Sequence, residues 1–308
     1  AAPEGVWSSS TFVPGVKATG SIEITGDPNA GPTRNGLLGE WLFDDDTAKD
    51  TSGNGYDGSE SANVVYSTDT PWGVGKSVNL NSNAYITVDD GTANQSVFDG
   101  GTKIAISVWV KEWPAESWGA YVTKRGEGGQ GWQVRRHNND VTNLSWTLRG
   151  PGNDDWYASK NINDNKWHHI VCQFQSSVSR EIWIDGVRIA QEVRGGSIAA
   201  TNSMLAFGCR DNDGNFAFAP AGFSRAFMDD VRIYNRVLTQ AEITDLSAIS
   251  RQIAIPLRGG GSIIYEGSLA EDLTANPPTW KNTGSFSEIA DSIKAAIEDD
   301  HGHNGEIV

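Results

Sequence analysis

The sequence predicts an all-β protein: an antiparallel β-sandwich over residues 36–248, with an N-terminal arm (1–35) and a C-terminal extension (249–308) containing a short helix. Three observations carry that prediction. At least ten short runs in the middle of the chain alternate apolar and polar residues, the period of a half-buried strand. Gly, Asn and Asp separate the runs, and 35 glycines suit tight turns better than a helical bundle. Twelve Trp, ten Phe and seven Tyr supply enough ring surface to fill the space between two sheets.

The arm at 1–35 has little periodicity beyond the alternating run SIEI at 21–24. From residue 36 the strand candidates follow in order as LLGEWLF, SVNLN, AYITVDD, IAISVWVKEW, AYVTKRG, GWQVRR, LSWTLRG, WHHIVCQF, EIWIDGVRIA, MLAFGCR and FMDDVRIYN. Inside EIWIDGVRIA, Asp185-Gly186 sits between alternating apolar residues and predicts a type I′ hairpin turn. After the last strand, LTQAEITDL predicts a helix. Thr239 and Glu242 form a capping box there, and Leu238 and Ile243 form the hydrophobic staple. The extension holds a glycine-rich link (RGGGS, 258–262) and then a second capping box, Ser285 with Glu288. Ile289, Ile293, Ala296 and Ile297 follow as one apolar stripe. A helix of about 12–13 residues is marginal alone in water, so this stripe needs a surface to dock on.

The formal charge is −15, from 39 acidic and 24 basic residues. A chain so acidic repels phosphate backbones and anionic lipid, which excludes nucleic acid and membrane as partners. No run of 18 apolar residues exists to span a bilayer, and AAPEGVWSSSTF has neither the basic nor the apolar region of a secretion signal. Cys172 and Cys209 lie in apolar runs, either as free core thiols or as a pair across adjacent strands.

The order of motifs resembles one family. GLLGEWLFDDDTAKDTSGNGYDG looks like its opening strand and Asp-Ser-Gly-Asn-Gly turn, and IAISVWVK resembles its central strand. KWHHIVCQF matches its Trp-His-His strand, EIWIDGVRIA its hairpin, and MDDVRIYNRVLTQAEI its closing strand and helix. Five motifs in order over residues 36–248 resemble the concanavalin A-like, laminin-G-like jelly rolls. That resemblance implies two curved antiparallel sheets, often a calcium ion and often carbohydrate binding, without fixing a function. The arms lie outside it.

Glycoside hydrolysis needs two carboxylates on one surface, about 5–5.5 Å apart for retention or 6.5–9.5 Å for inversion. The Glu-x-Asp-x-Glu strand of hydrolases with this fold is absent. The nearest approach, Glu181 and Asp185, is interrupted by Trp183, and Asp185 is accounted for by its turn. The pair His168-His169 must point to opposite faces of its strand, one packed and one at the surface. Catalytic residues are therefore expected to be none. For calcium, the turn at 50–55 offers the hard oxygens of Asp50 and Asn54. Strict alternation puts Asp229 on the core face with Val231 and Ile233, where a carboxylate needs a cation or several N–H donors. The family resemblance brings these segments together, and the alternative is that both carboxylates only accept N–H bonds.

Sugar binding calls for exposed rings beside polar groups. Trp41, Trp109, Trp167 and Trp183 fall in strands and are assigned to the core. Trp113 and Trp118 in one loop, Trp156 and Tyr157 beside another, and Arg125 nearby form the candidate platform for a glycan or polysaccharide. The other reading of these rings is that they cap the ends of the sandwich. Arms rich in Gly, Pro and Ser order only when tied down, which favours docking on further copies, a homo-oligomer, over folding back on the same sandwich. The sequence thus leads to a non-catalytic extracellular, cell-surface or virion-surface protein that attaches to glycans and self-assembles. The alternative is a secreted polysaccharide-degrading enzyme or its binding module.

Overall fold

The computed structural model describes residues 34–247, apart from 74, 82, 91–95, 113–116, 126–128, 138–142, 151–153 and 212–218. It also describes strands at 252–256, 262–268 and 280–281. The chain divides into two compact units, 28–251 and the two ends, 1–27 with 252–308.

The larger unit begins with β1 (Leu37–Trp41), β2 (Gly58–Glu60), β3 (Val65–Ser67), β4 (Ser77–Asn79) and β5 (Ile86–Val88). The long strand β6 (Lys103–Lys111) leads into β7 (Ala120–Arg125), β8 (Gly131–Arg136), β9 (Asn143–Leu148) and β10 (Asp154–Ser159). Then come β11 (His168–Gln175), β12 (Ser179–Ile184), β13 (Val187–Glu192), β14 (Leu205–Phe207), β15 (Arg210–Asp211), β16 (Pro220–Ala221), β17 (Phe227–Tyr234) and α1 (Gln240–Leu246). One sheet runs β13-β12-β11-β6-β17-β4-β3 with β1 on β17, and the other runs β10-β9-β8-β7-β14-β5-β2. All their pairings are antiparallel. β15 and β16 form a separate small ladder.

The core lies between the sheets because each contributes every second residue to it. Ile104, Ile106, Val108 and Val110 of β6 meet Trp132, Val134, Trp146 and Leu148 from the other layer. Three indoles of the inter-sheet core have their N–H satisfied: Trp41 donates to the Tyr56 carbonyl (3.0 Å), Trp132 to Phe98 (2.7 Å) and Trp146 to Gln173 (3.2 Å). Losing one such ring costs about 3–5 kcal/mol. A second cluster lies on the far side of the first sheet, where Leu238, Ile243 and Leu246 around α1 cover Val171, Trp183 and Tyr234. Thr239 and Glu242 close the predicted capping box. Asp185 (φ 53°) and Gly186 (φ 75°) take the left-handed conformations of the predicted turn.

Several sequence expectations are refined. Trp41 belongs to the inter-sheet core and Trp183 to the cluster under α1. Trp109 is buried beside Trp72 and His169 instead, and Trp167 is only half-buried. Cys172 and Cys209 are buried free thiols, which closes the pairing alternative. Asp229 does not share a face with Val231: a bulge between Asp229 and Arg232, with Asp230 at φ 46°, advances the register by one residue. Met228 takes the core position, and Asp229 lies opposite Trp109. In the smaller unit β18 (Gln252–Pro256) pairs antiparallel with β19 (Ser262–Ser268), which pairs in parallel with β20 (Trp280–Lys281). The predicted helix after Ser285 lies outside the described residues.

Candidate functional site

The register of β7 to β10 sorts their side chains into two sets. Val122, Val134, Trp146 and Trp156 stand in one cross-strand row, and the first three are fully buried in the core. Thr123, Gln133, Thr147 and Asp155 form the next row, and Arg135, Ser145 and Tyr157 the one beyond Trp156. Period-2 alternation turns both of these polar rows to the face away from the core. There Gln133, Arg135 and Asp155 of these rows, with Trp118, Arg125, Arg149 and Arg210, line a cleft of about 260 Å³.

Asp155 organises the floor. One of its oxygens meets Arg135 Nη2 at 2.8 Å, Arg149 Nη2 at 3.2 Å and the Thr147 hydroxyl at 3.2 Å. Burial would raise its pKa, but the Arg135 and Arg149 charges outweigh that and hold the carboxyl below the usual range. Arg135 also donates to Thr147 (3.3 Å) and lies 4.5 Å from the centroid of the Trp118 ring. From Trp118 an aromatic wall continues through His137 (5.5 Å, edge-on) to Tyr157, which stacks on His137 at 4.1 Å. Trp118 has φ 58°, an uncommon conformation for a bulky residue and a form of strain that gathers at functional sites.

Several buried polar atoms at the cleft have no hydrogen-bond partner among the described residues: Arg125 Nε and Nη1, Arg149 Nη1, Arg210 Nε and Gln133 Oε1. Burial, then repulsion from Arg210, Arg135 and Arg149, pulls the Arg125 guanidinium below its ordinary pKa.

Trp118 and Arg125 border the cleft, and Tyr157 reaches its rim through His137. Trp156 and Tyr157, expected beside a loop, lie in strand β10, so the two rings face opposite ways. Trp156 packs against the core with Arg180 over its ring at 4.9 Å, on the side of β10 opposite Tyr157. Trp113 lies outside the described residues. Sequence reasoning missed Gln133, Arg135, His137, Arg149, Asp155 and Arg210. The alternation of WQVRR and WTLR against their tryptophans carried the signal for three of the six, Gln133, Arg135 and Arg149.

Asp50 is held by four donors: the amides of Glu40 (3.0 Å), Ser52 (2.9 Å) and Tyr56 (2.9 Å) and the Ser52 hydroxyl (2.8 Å). The Asn54 amide nitrogen donates to the Leu37 and Leu38 carbonyls, and Asp229 accepts from the Asp230 amide (2.8 Å). A calcium ion at Asp50 would meet N–H groups where it needs oxygens, so this donor set does not fit it. Among the described residues no three His, Cys, Asp or Glu side chains gather as a metal site. Glu181 accepts from Gln173, Trp183 and Gln191 (2.8, 2.8 and 3.1 Å). Asp185 accepts from the His169 amide and pairs with His168 at 2.8 Å, so both carboxylates serve the sheet and its hairpin.

A family model described as the concanavalin A-like lectin/glucanases superfamily matches residues 80–244, more than half of the chain. The chain belongs to this superfamily. No curated protein matches the sequence. Among solved structures, the chain is similar to domain 4 of AbnA, a GH43 extracellular arabinanase from Geobacillus stearothermophilus, in complex with arabinotriose. Their TM-score is 0.53 at 18% identity, over 69% of this chain and 98% of that one. It is similar to the binding domain of Paraclostridial mosquitocidal protein 1 (TM-score 0.53, 20% identity, 70% and 52% coverage). The binding domain of botulinum neurotoxin DC in complex with SialylT gives a TM-score of 0.53 at 15% identity, with 75% and 55% coverage. This chain spans about half the length of those two domains. At such identities the likeness is one of superfamily fold.

Proposed function

We propose that this protein is a non-catalytic carbohydrate-binding module working outside the cell, with its glycan seated in the cleft on β7 to β10. The carrying observation is the wall of Trp118, His137 and Tyr157 beside a floor of polar and charged groups. Rings stack on sugar faces while polar groups fix orientation. Structures of this fold have been solved with arabinotriose and with SialylT bound, which supports the reading without transferring either ligand. Binding to a glycan array, lost in Trp118→Ala and Tyr157→Ala variants that still melt like the parent, tests it. Full binding by both variants would remove the cleft from the reading.

Two roles suit such a module. One is attachment at a cell or virion surface with self-assembly through the end segments, tested by native mass measurement: a monomer would end it. The other, a binding module of a polysaccharide-degrading enzyme, is favoured by the similarity to nearly the whole of the arabinanase's domain 4.

A further inference from the structure

We infer that the sugar held in this cleft is acidic, bearing a carboxylate or a sulfate; the inference rests on the glycan-binding reading above. The protein as a whole carries −15, yet among the described residues the cleft gathers four guanidinium groups, Arg125, Arg135, Arg149 and Arg210, around one carboxylate, that of Asp155. Among the described residues Asp155 forms its ion pairs with Arg135 and Arg149. Among the described residues Arg125 and Arg210 form no ion pair with a carboxylate, and Arg125 Nε and Nη1 and Arg210 Nε are buried N–H groups without an acceptor. A buried, unpaired donor on a charged group is costly, so a structure keeps such groups where something else completes them. A neutral sugar offers hydroxyls but no charge. A planar carboxylate or a sulfate fits the guanidinium fork and removes the mutual repulsion of the arginines. The Gln133 side chain, 1% exposed with its Oε1 unpartnered, faces the same space and can accept a sugar hydroxyl.

Calorimetric titration of the full chain with two matched pairs of polymers tests this. Polygalacturonate is compared with its methyl ester, and dextran sulfate with dextran. Binding is expected for at least one charged member and not for its neutral partner, weakening as salt rises. The charged member that binds tells carboxylate from sulfate. Arg210→Gln and Arg125→Gln should each weaken that binding about tenfold or more, the worth of one charge-assisted hydrogen bond. The exposed Lys166→Gln, of equal charge change, should leave it intact. Should Arg125→Gln fail to fold, Arg210→Gln decides alone, with thermal melts confirming its fold. Equal binding of charged and neutral members overturns the acidic-sugar inference but leaves glycan binding standing. Binding of neither member of both pairs, together with an empty glycan array, overturns both. Charged binding that ignores both arginine variants shows adhesion elsewhere and overturns the cleft assignment.

Discussion

The adjacent histidines of β11 should give the protein opposing pH responses, and His169 dominates below neutrality. His169 is 1% exposed, with Nε2 2.8 Å from the Ser107 hydroxyl, its ring against Trp109 at 5.2 Å, and Nδ1 without a hydrogen-bond partner among the described residues. Burial, assisted by the Arg232 charge and opposed by Asp185, pulls its pKa down to about 3. The unfolded chain takes up this proton near pH 6.5 and the folded one does not, so stability falls as pH falls through that window. At pH 5 the folded group is still neutral, and the loss is set by the unfolded value alone. The 1.5 pH units below 6.5 correspond to about 2 kcal/mol. His168, by contrast, has a raised pKa despite partial burial, because Asp185 and Asp164 hydrogen-bond to it; its stabilisation is full at pH 5 and fades as pH rises. Urea unfolding at pH 7.5 and pH 5 should therefore be compared between the parent and His169→Gln, which keeps a polar end for Ser107 but does not titrate. The variant should lose about 2 kcal/mol less than the parent on acidification. Equal losses would refute the claim that a buried neutral imidazole governs this window.

Asp50→Ala should cost about 2–4 kcal/mol in denaturant melts, since three amides and a hydroxyl lose their acceptor. Chelator should leave the parent's melting temperature unchanged, and a drop reversed by added calcium would restore calcium to the Asp50, Asn54 and Asp229 region. Gly131→Ala should destabilise by about 2–4 kcal/mol, because φ 89° suits only glycine and the new Cβ would collide with the Lys124 carbonyl; a stability loss within 0.5 kcal/mol would contradict that geometry. Cys172 and Cys209 should resist thiol reagents until the protein unfolds, since burial raises both thiol pKa values. Rapid labelling of the native protein would disprove it.

The fold was legible because its rules are local. Alternation in IAISVWVK and WHHIVCQF declares two faces, Asp185-Gly186 declares a turn, and Thr239 with Glu242 declares a helix start. Each depends on neighbours within a few residues. The bulge at Asp229 was not legible, because one extra residue reverses every face assignment around it and the cause lies in the partner strands. Sequence alone singled out Trp118, Arg125 and Tyr157, but it could not set Trp156 apart from Tyr157 without a strand assigned to Asp154–Ser159. The cleft belongs wholly to tertiary structure. Residues spread from Trp118 to Arg210 converge only through the lateral register of β7 to β10 and the position of β15 beside them. Nothing in a one-dimensional charge count of −15 reveals that four arginines gather around Asp155, because charge adds along a chain without regard to distance, while repulsion and binding depend on distance.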